Sequence, residues 1–209
     1  MSEDIADKTV KQAQADLDFI KGIVAEHNPS LKIAGILYGY AGLIYGIQCL
    51  LTWLAFLGLY EYSGLTALTI SILPTIIYIA ICIYYARIDT PSLNEVGTAS
   101  RAVGSMFAGI GMANTVMAVI IGWMTYARQD VSLWMLFPIV ICAFQGSAWF
   151  TAAMILRYTW MYLVTAGWFI TALAMGIFID NGTTYFLVLG AAMIGLMGLS
   201  GLKMARSGK

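Results

Sequence analysis

The chain has 209 residues, 60% of them hydrophobic and 11% charged, with a formal net charge of zero and a mean hydropathy of +0.81. A soluble domain carries roughly a quarter charged residues, so this composition excludes a water-soluble fold. The absence of any basic excess leaves no electrostatic footprint for nucleic acid.

Four lysines, six acidic residues and the only histidine precede Ile33. Within that stretch Ala6, Val10, Ala13, Leu17, Ile20 and Val24 recur at four-three spacing, which places them on one face of a helix. Asn28-Pro29 ends it. Residues 1–29 therefore read as a cytoplasmic amphipathic helix with no apolar core of the secretory-leader kind. Six acids against four lysines do not favour an anionic lipid surface. The stripe Val10, Ala13, Leu17, Ile20 and Val24 is instead expected to dock, either on the bundle that follows or on a protein partner.

Residues 30–203 read as a bundle of six apolar spans, about 33–57, 64–86, 102–126, 132–156, 158–179 and 183–202. Each is near the ~20 residues needed to cross a hydrocarbon core of about 30 Å. The runs are continuous rather than alternating, which excludes the strands of a barrel. An all-α integral membrane protein with six transmembrane helices is the expected fold, closed by a basic tail at 204–209. With both termini in the cytoplasm, ten of the eleven lysines and arginines face inward and only Arg128 faces out. Glu61, Asp130 and Asp180 then mark the outer loops. A bacterial inner membrane is the location this bias suggests.

In span 1, Gly35, Gly39, Gly42 and Gly46 fall within an arc of about 60°. Gly104, Ala108, Gly111 and Gly122 make a similar stripe on span 3, and Gly195 contributes to one on span 6. Lipid supplies no hydrophobic force between helices, so small-residue faces that let backbones approach are the expected packing seams. The loop residues Ser92 and Glu95 have capping-box spacing. Asp180-Asn181-Gly182-Thr183 reads as a tight turn with positive φ angles. Pro74 and Pro138 are expected to break spans 2 and 4.

Four polar side chains fall near mid-membrane: Gln48, Thr75, Asn114 and Gln145, with Tyr78 one turn from Thr75. A buried amide without partners in hydrocarbon costs several kcal/mol. These five residues either hold helices together or line a midplane site for a small uncharged or lipid-like ligand. Cys49, Cys82 and Cys142 lie inside spans at no metal-binding spacing and read as packing residues. Trp149 and Trp168 lie deeper than the interfacial aromatics and read the same way.

No span contains Lys, Arg, Asp, Glu or His. Intramembrane proton relays, voltage sensors and intramembrane proteases all require such groups. The expectation is a non-enzymatic protein with no cofactor, no metal and no catalytic residue. Its partners would be membrane lipids and either a protein partner or further copies of itself. The leading function is that of an accessory or scaffold subunit of a membrane complex or homo-oligomer. A carrier or binding protein for a small uncharged or lipid-like molecule is the alternative, and a membrane sensor signalling through the N-terminal helix a third.

Overall fold

The computed structural model describes residues 29–88 and 98–207, with Gln14 before them. The docking stripe Val10, Ala13, Leu17, Ile20 and Val24 and the Ser92–Glu95 box lie outside the described residues. No strand occurs among those described, and six helices are long and apolar enough to span a membrane. They are α1 (Pro29–Phe56), α2 (Gly64–Ile88), α3 (Thr98–Arg128), α4 (Leu136–Leu156) after a 3-10 turn (Val131–Met135), α5 (Thr159–Ile177) and a composite sixth span. The sixth consists of α6 (Gly182–Ala192), a π-helical segment (Met193–Leu199) and α7 (Ser200–Ser207).

Local chemistry sets several of the boundaries. Pro29 occupies the first position of α1, where its missing N–H costs nothing. Asp130 opens the 3-10 turn by accepting from the Ser132 amide at 3.0 Å and the Ser132 hydroxyl at 2.6 Å. Pro138 therefore stands in the first turn of α4 and breaks nothing, in contrast to the expected break in span 4. Pro74 does lie inside α2. Arg157 adopts a left-handed conformation at the end of α4, and extended Tyr158 follows, so two residues reverse the chain into α5.

The turn before the sixth span also differs from expectation. Asn181 has φ −110° and caps α6, its Oδ1 accepting from the Thr184 amide at 3.1 Å. Capping satisfies an otherwise orphaned donor, and this outweighs the positive-φ preference of the Asn-Gly pair. Gly182 is needed for a different reason: a Cβ there would overlap the Phe56 ring, which stacks on Phe186.

Packing follows an antiparallel chain of neighbours. α4 and α5 form the most extensive pair and bury Cys142, Trp149, Ala152 and Ala153 against Met161, Val164, Trp168 and Met175. The sixth span lies against α5 and, along nearly its whole length, against α1. Tyr185 ties it to the 3-10 turn by donating to the Met135 carbonyl at 2.6 Å. α3 packs mainly on α4 and touches α1 lightly. α2 rests on α1, has no buried residue, and makes no substantial contact with α3 among the described residues.

Candidate functional site

The contact between α1 and the sixth span sets the back wall of the candidate site. A Cβ on Gly35 would stand 2.6 Å from the Ala205 nitrogen and 2.8 Å from the Gly201 oxygen. One on Gly42 would stand 2.6 Å from the Met193 oxygen and still closer to the Gly198 nitrogen. Those two atoms bracket the π-helical segment, so the widened turn lies directly under Gly42. A Cβ on Gly46 would stand 2.5 Å from the Ile194 side chain, and one on Gly39 would be in ordinary contact with Gly198. The stripe on α1 is thus occupied within the chain itself.

The stripe on α3 meets different surroundings. A Cβ on Gly104 or Gly111 would have nothing within 4 Å, Ala108 is exposed, and Gly122 meets only the Trp134 ring at 3.4 Å. Gly195 likewise faces open space, inside the π-helical segment. The reason is positional: α3 reaches the rest of the bundle through α4, and its glycine face looks toward the gap beside α2.

That gap is a cavity of about 650 Å³. α2 contributes Tyr78, α1 contributes Tyr38, α3 contributes Gly104, Gly111 and Asn114, and α4 contributes Gln145. The Pro29 end of the cavity holds Ser100, Arg101 and Met204. Its charged wall is therefore at one end, and the middle carries neutral amides and hydroxyls.

The hydrogen bonds at mid-depth run in one direction. Trp149 Nε1 donates to the Tyr38 hydroxyl at 2.7 Å, and Tyr38 donates to Gln145 Oε1 at 3.0 Å. An indole N–H can only donate, so the Tyr38 oxygen must accept and its proton must go onward. Gln145 is thereby held with its oxygen toward Tyr38. Its Nε2 makes no hydrogen bond among the described residues. The Tyr38 ring is held edge-on by Phe107 at 5.9 Å and Trp149 at 5.4 Å, and Trp149 is fully buried. Asn114 Oδ1 is buried with no hydrogen-bond partner among the described residues.

Of the five polar residues expected at mid-membrane, Tyr78, Asn114 and Gln145 line this cavity. Thr75 does not: it accepts from Tyr45 at 3.5 Å at the α1–α2 contact, where Tyr45 also packs on Tyr78. Gln48 is outside the lining too, and its backbone carbonyl receives the Thr52 hydroxyl. Tyr38 was missed in the sequence. Its only signal was a tyrosine inside the first span, whose hydroxyl needs a partner when buried. Arg101 enters the sequence reading only as one of the ten inward-facing basic residues. The three cysteines are unbridged, and no metal-binding cluster occurs among the described residues.

Comparison of the chain with protein-family models, with curated proteins and with solved structures returns no match. The six-span helical architecture places it among integral membrane proteins. Any reading of its activity rests on the cavity itself.

Proposed function

We propose that this protein binds, and carries or presents, a small lipid-like molecule in the groove between α2 and α3. The carrying observation is the convergence of Tyr78, Asn114 and Gln145 on one cavity of about 650 Å³. That volume lies within the roughly 300–1,000 Å³ typical of small-molecule sites. An apolar, partly open space with a few convergent polar groups is what such a site requires. The weak α2–α3 contact provides a lateral way in from the bilayer. With both termini in the cytoplasm of a bacterial inner membrane, as the basic residues favour, Arg101 stands at the inner-leaflet mouth.

The test uses the open space beside Gly111. A Cβ there meets nothing within 4 Å, and Gly111 lines the cavity, so a Phe at this position is expected to occupy it. Native mass spectrometry of the protein extracted with its surrounding lipid should find a bound small molecule on the parent and none on Gly111→Phe, at unchanged oligomeric state. A bare parent protein would overturn the proposal.

A second reading, the accessory subunit, draws on α2, which has no buried residue and, among the described residues, packs substantially on α1 only. The α1 glycine stripe no longer argues for it, since the sixth span covers that stripe. A stoichiometric second protein in the same spectra, lost when α2 rather than the cavity is altered, would favour the subunit over the binding protein.

A further inference from the structure

The groove's polar groups define what it can hold, and this inference rests on the reading of the cavity as a ligand site. We infer that its ligand is a neutral amphiphile whose polar group both accepts and donates a hydrogen bond, such as a primary amide or an alcohol, seated at mid-depth between Gln145 and Asn114.

Three observations combine. First, the Trp149–Tyr38–Gln145 chain leaves Gln145 with one orientation, oxygen toward Tyr38 and NH2 free, so the cavity offers a donor at that point. Second, Asn114 Oδ1 is a buried acceptor without a partner among the described residues, and the Asn114 side chain lines the same cavity, so turning its amide brings that acceptor to a ligand. A group able to donate to it relieves a desolvation penalty already present in the folded chain. Third, the charged residue of the lining is Arg101, at the far end of the cavity toward Pro29, in the first turn of α3. Asn114 is thirteen residues further along that helix (114 − 101), about 20 Å away at the helical rise. An ionised headgroup at mid-depth would thus meet no counter-charge, which disfavours it strongly in a low-dielectric setting. A hydrocarbon end would leave both amides unpaired. A ketone or ether would satisfy Gln145 alone.

In this arrangement Gln145 and Asn114 contact the ligand, whereas Tyr38 and Trp149 act through Gln145 by fixing which of its ends faces the cavity. Exchanging Tyr38 for phenylalanine keeps the ring and its edge-on contacts but releases that constraint.

The experiment uses the full chain in lipid nanodiscs and long-chain probes carrying a photoreactive diazirine. The probes end in a primary amide, a methyl ketone or a plain methyl group. Crosslinked α3 and α4 peptides are quantified by mass spectrometry. The amide probe should label these peptides about tenfold more than the methyl probe, the ratio expected for hydrogen bonds recovered in a buried site, with the ketone between them. Gln145→Leu should bring the ketone down to the methyl level and leave the amide only the part of its advantage that Asn114 supplies. Tyr38→Phe should reduce the advantage of the ketone, because the Gln145 amide can then present either end. Equal labelling of the cavity by all three probes would overturn the donor–acceptor inference while leaving the lipid-like ligand site standing. Labelling of none at these peptides would overturn both. A ketone advantage undiminished by Tyr38→Phe would overturn the orienting role of Tyr38.

Discussion

Gly42 and Gly111 both belong to small-residue stripes, yet the fold gives them opposite surroundings. At Gly42 any Cβ meets backbone atoms of the π-helical segment, which cannot swing aside as a flexible side chain would. Gly42→Ala is therefore expected to cost about 1–3 kcal/mol, the range for overpacking a tight contact. At Gly111 nothing is near, so Gly111→Ala should be neutral or stabilising by up to ~1 kcal/mol through helix propensity. Reversible unfolding in mixed micelles checks the pair. Similar effects at both positions would contradict the one-sided use of the two stripes. At the same scale, Asn114 and Gln145 show how a polar residue's identity suggests a site without locating it. Both side chains were conspicuous in the sequence, but only the Tyr38 and Trp149 hydrogen bonds show that one Gln145 face is already committed.

Among elements, the 3-10 turn before α4 depends on one capping carboxylate. The Ser132 hydroxyl, and after it the Ser132 amide, hold the Asp130 carboxyl below the usual aspartate range. The sign follows from that depression. The ionised cap contributes fully above the unfolded-chain value of ~3.9 and is lost as pH falls through the lower folded-state value. Hydrogen exchange at the Ser132 and Leu133 amides should stay constant, after correction for intrinsic chemistry, from neutral pH down to about that unfolded value, and their protection should fall below it. Asp130→Asn should weaken this acid-dependent loss. A protection profile unchanged by the substitution would remove Asp130 from the account. The sixth span illustrates the other kind of element. Its sequence reads as one plain apolar run, and nothing in it announces seven π-helical residues. The segment forms where α1 presses its glycines against Met193 and Gly198, and Ser200 turns its hydroxyl back to the Leu196 carbonyl within it.

Across the whole molecule, five spans form a continuous body and α2 is appended to it through α1. Tyr45 contributes to that attachment, packing on Tyr78 at 5.8 Å between centroids and reaching Thr75 at 3.5 Å, and Tyr40 packs on Tyr85 at 6.4 Å. Tyr45→Ala should raise amide exchange in α2 several-fold while leaving the α4–α5 pair unchanged, measurable by hydrogen exchange in nanodiscs. Equal loosening of both regions would show that α2 is bound into the core after all. The arrangement also bears on the proposed function. A span held on one side alone can move without unpacking the rest, and the groove between α2 and α3 is where such movement would admit a ligand.

The sequence by itself determined the membrane class, the six helices and the small-residue faces, because hydropathy and periodicity are local properties that the bilayer reads span by span. It also marked three of the residues that line the cavity, since an amide or hydroxyl in mid-span stands out against hydrocarbon. It had no means of assigning the stripes to partners. In lipid, helices are sorted by shape complementarity and hydrogen bonds between segments distant in the chain, and no run of twenty residues encodes its neighbour. Only the tertiary structure decided that the α1 glycines press on the sixth span while those of α3 face empty space. The same packing decided that Tyr38, Phe107 and Trp149 come together to orient Gln145, and that Thr75 and Gln48 lie outside the groove. These outcomes depend on which helices meet, and that is settled by the packing of the whole bundle.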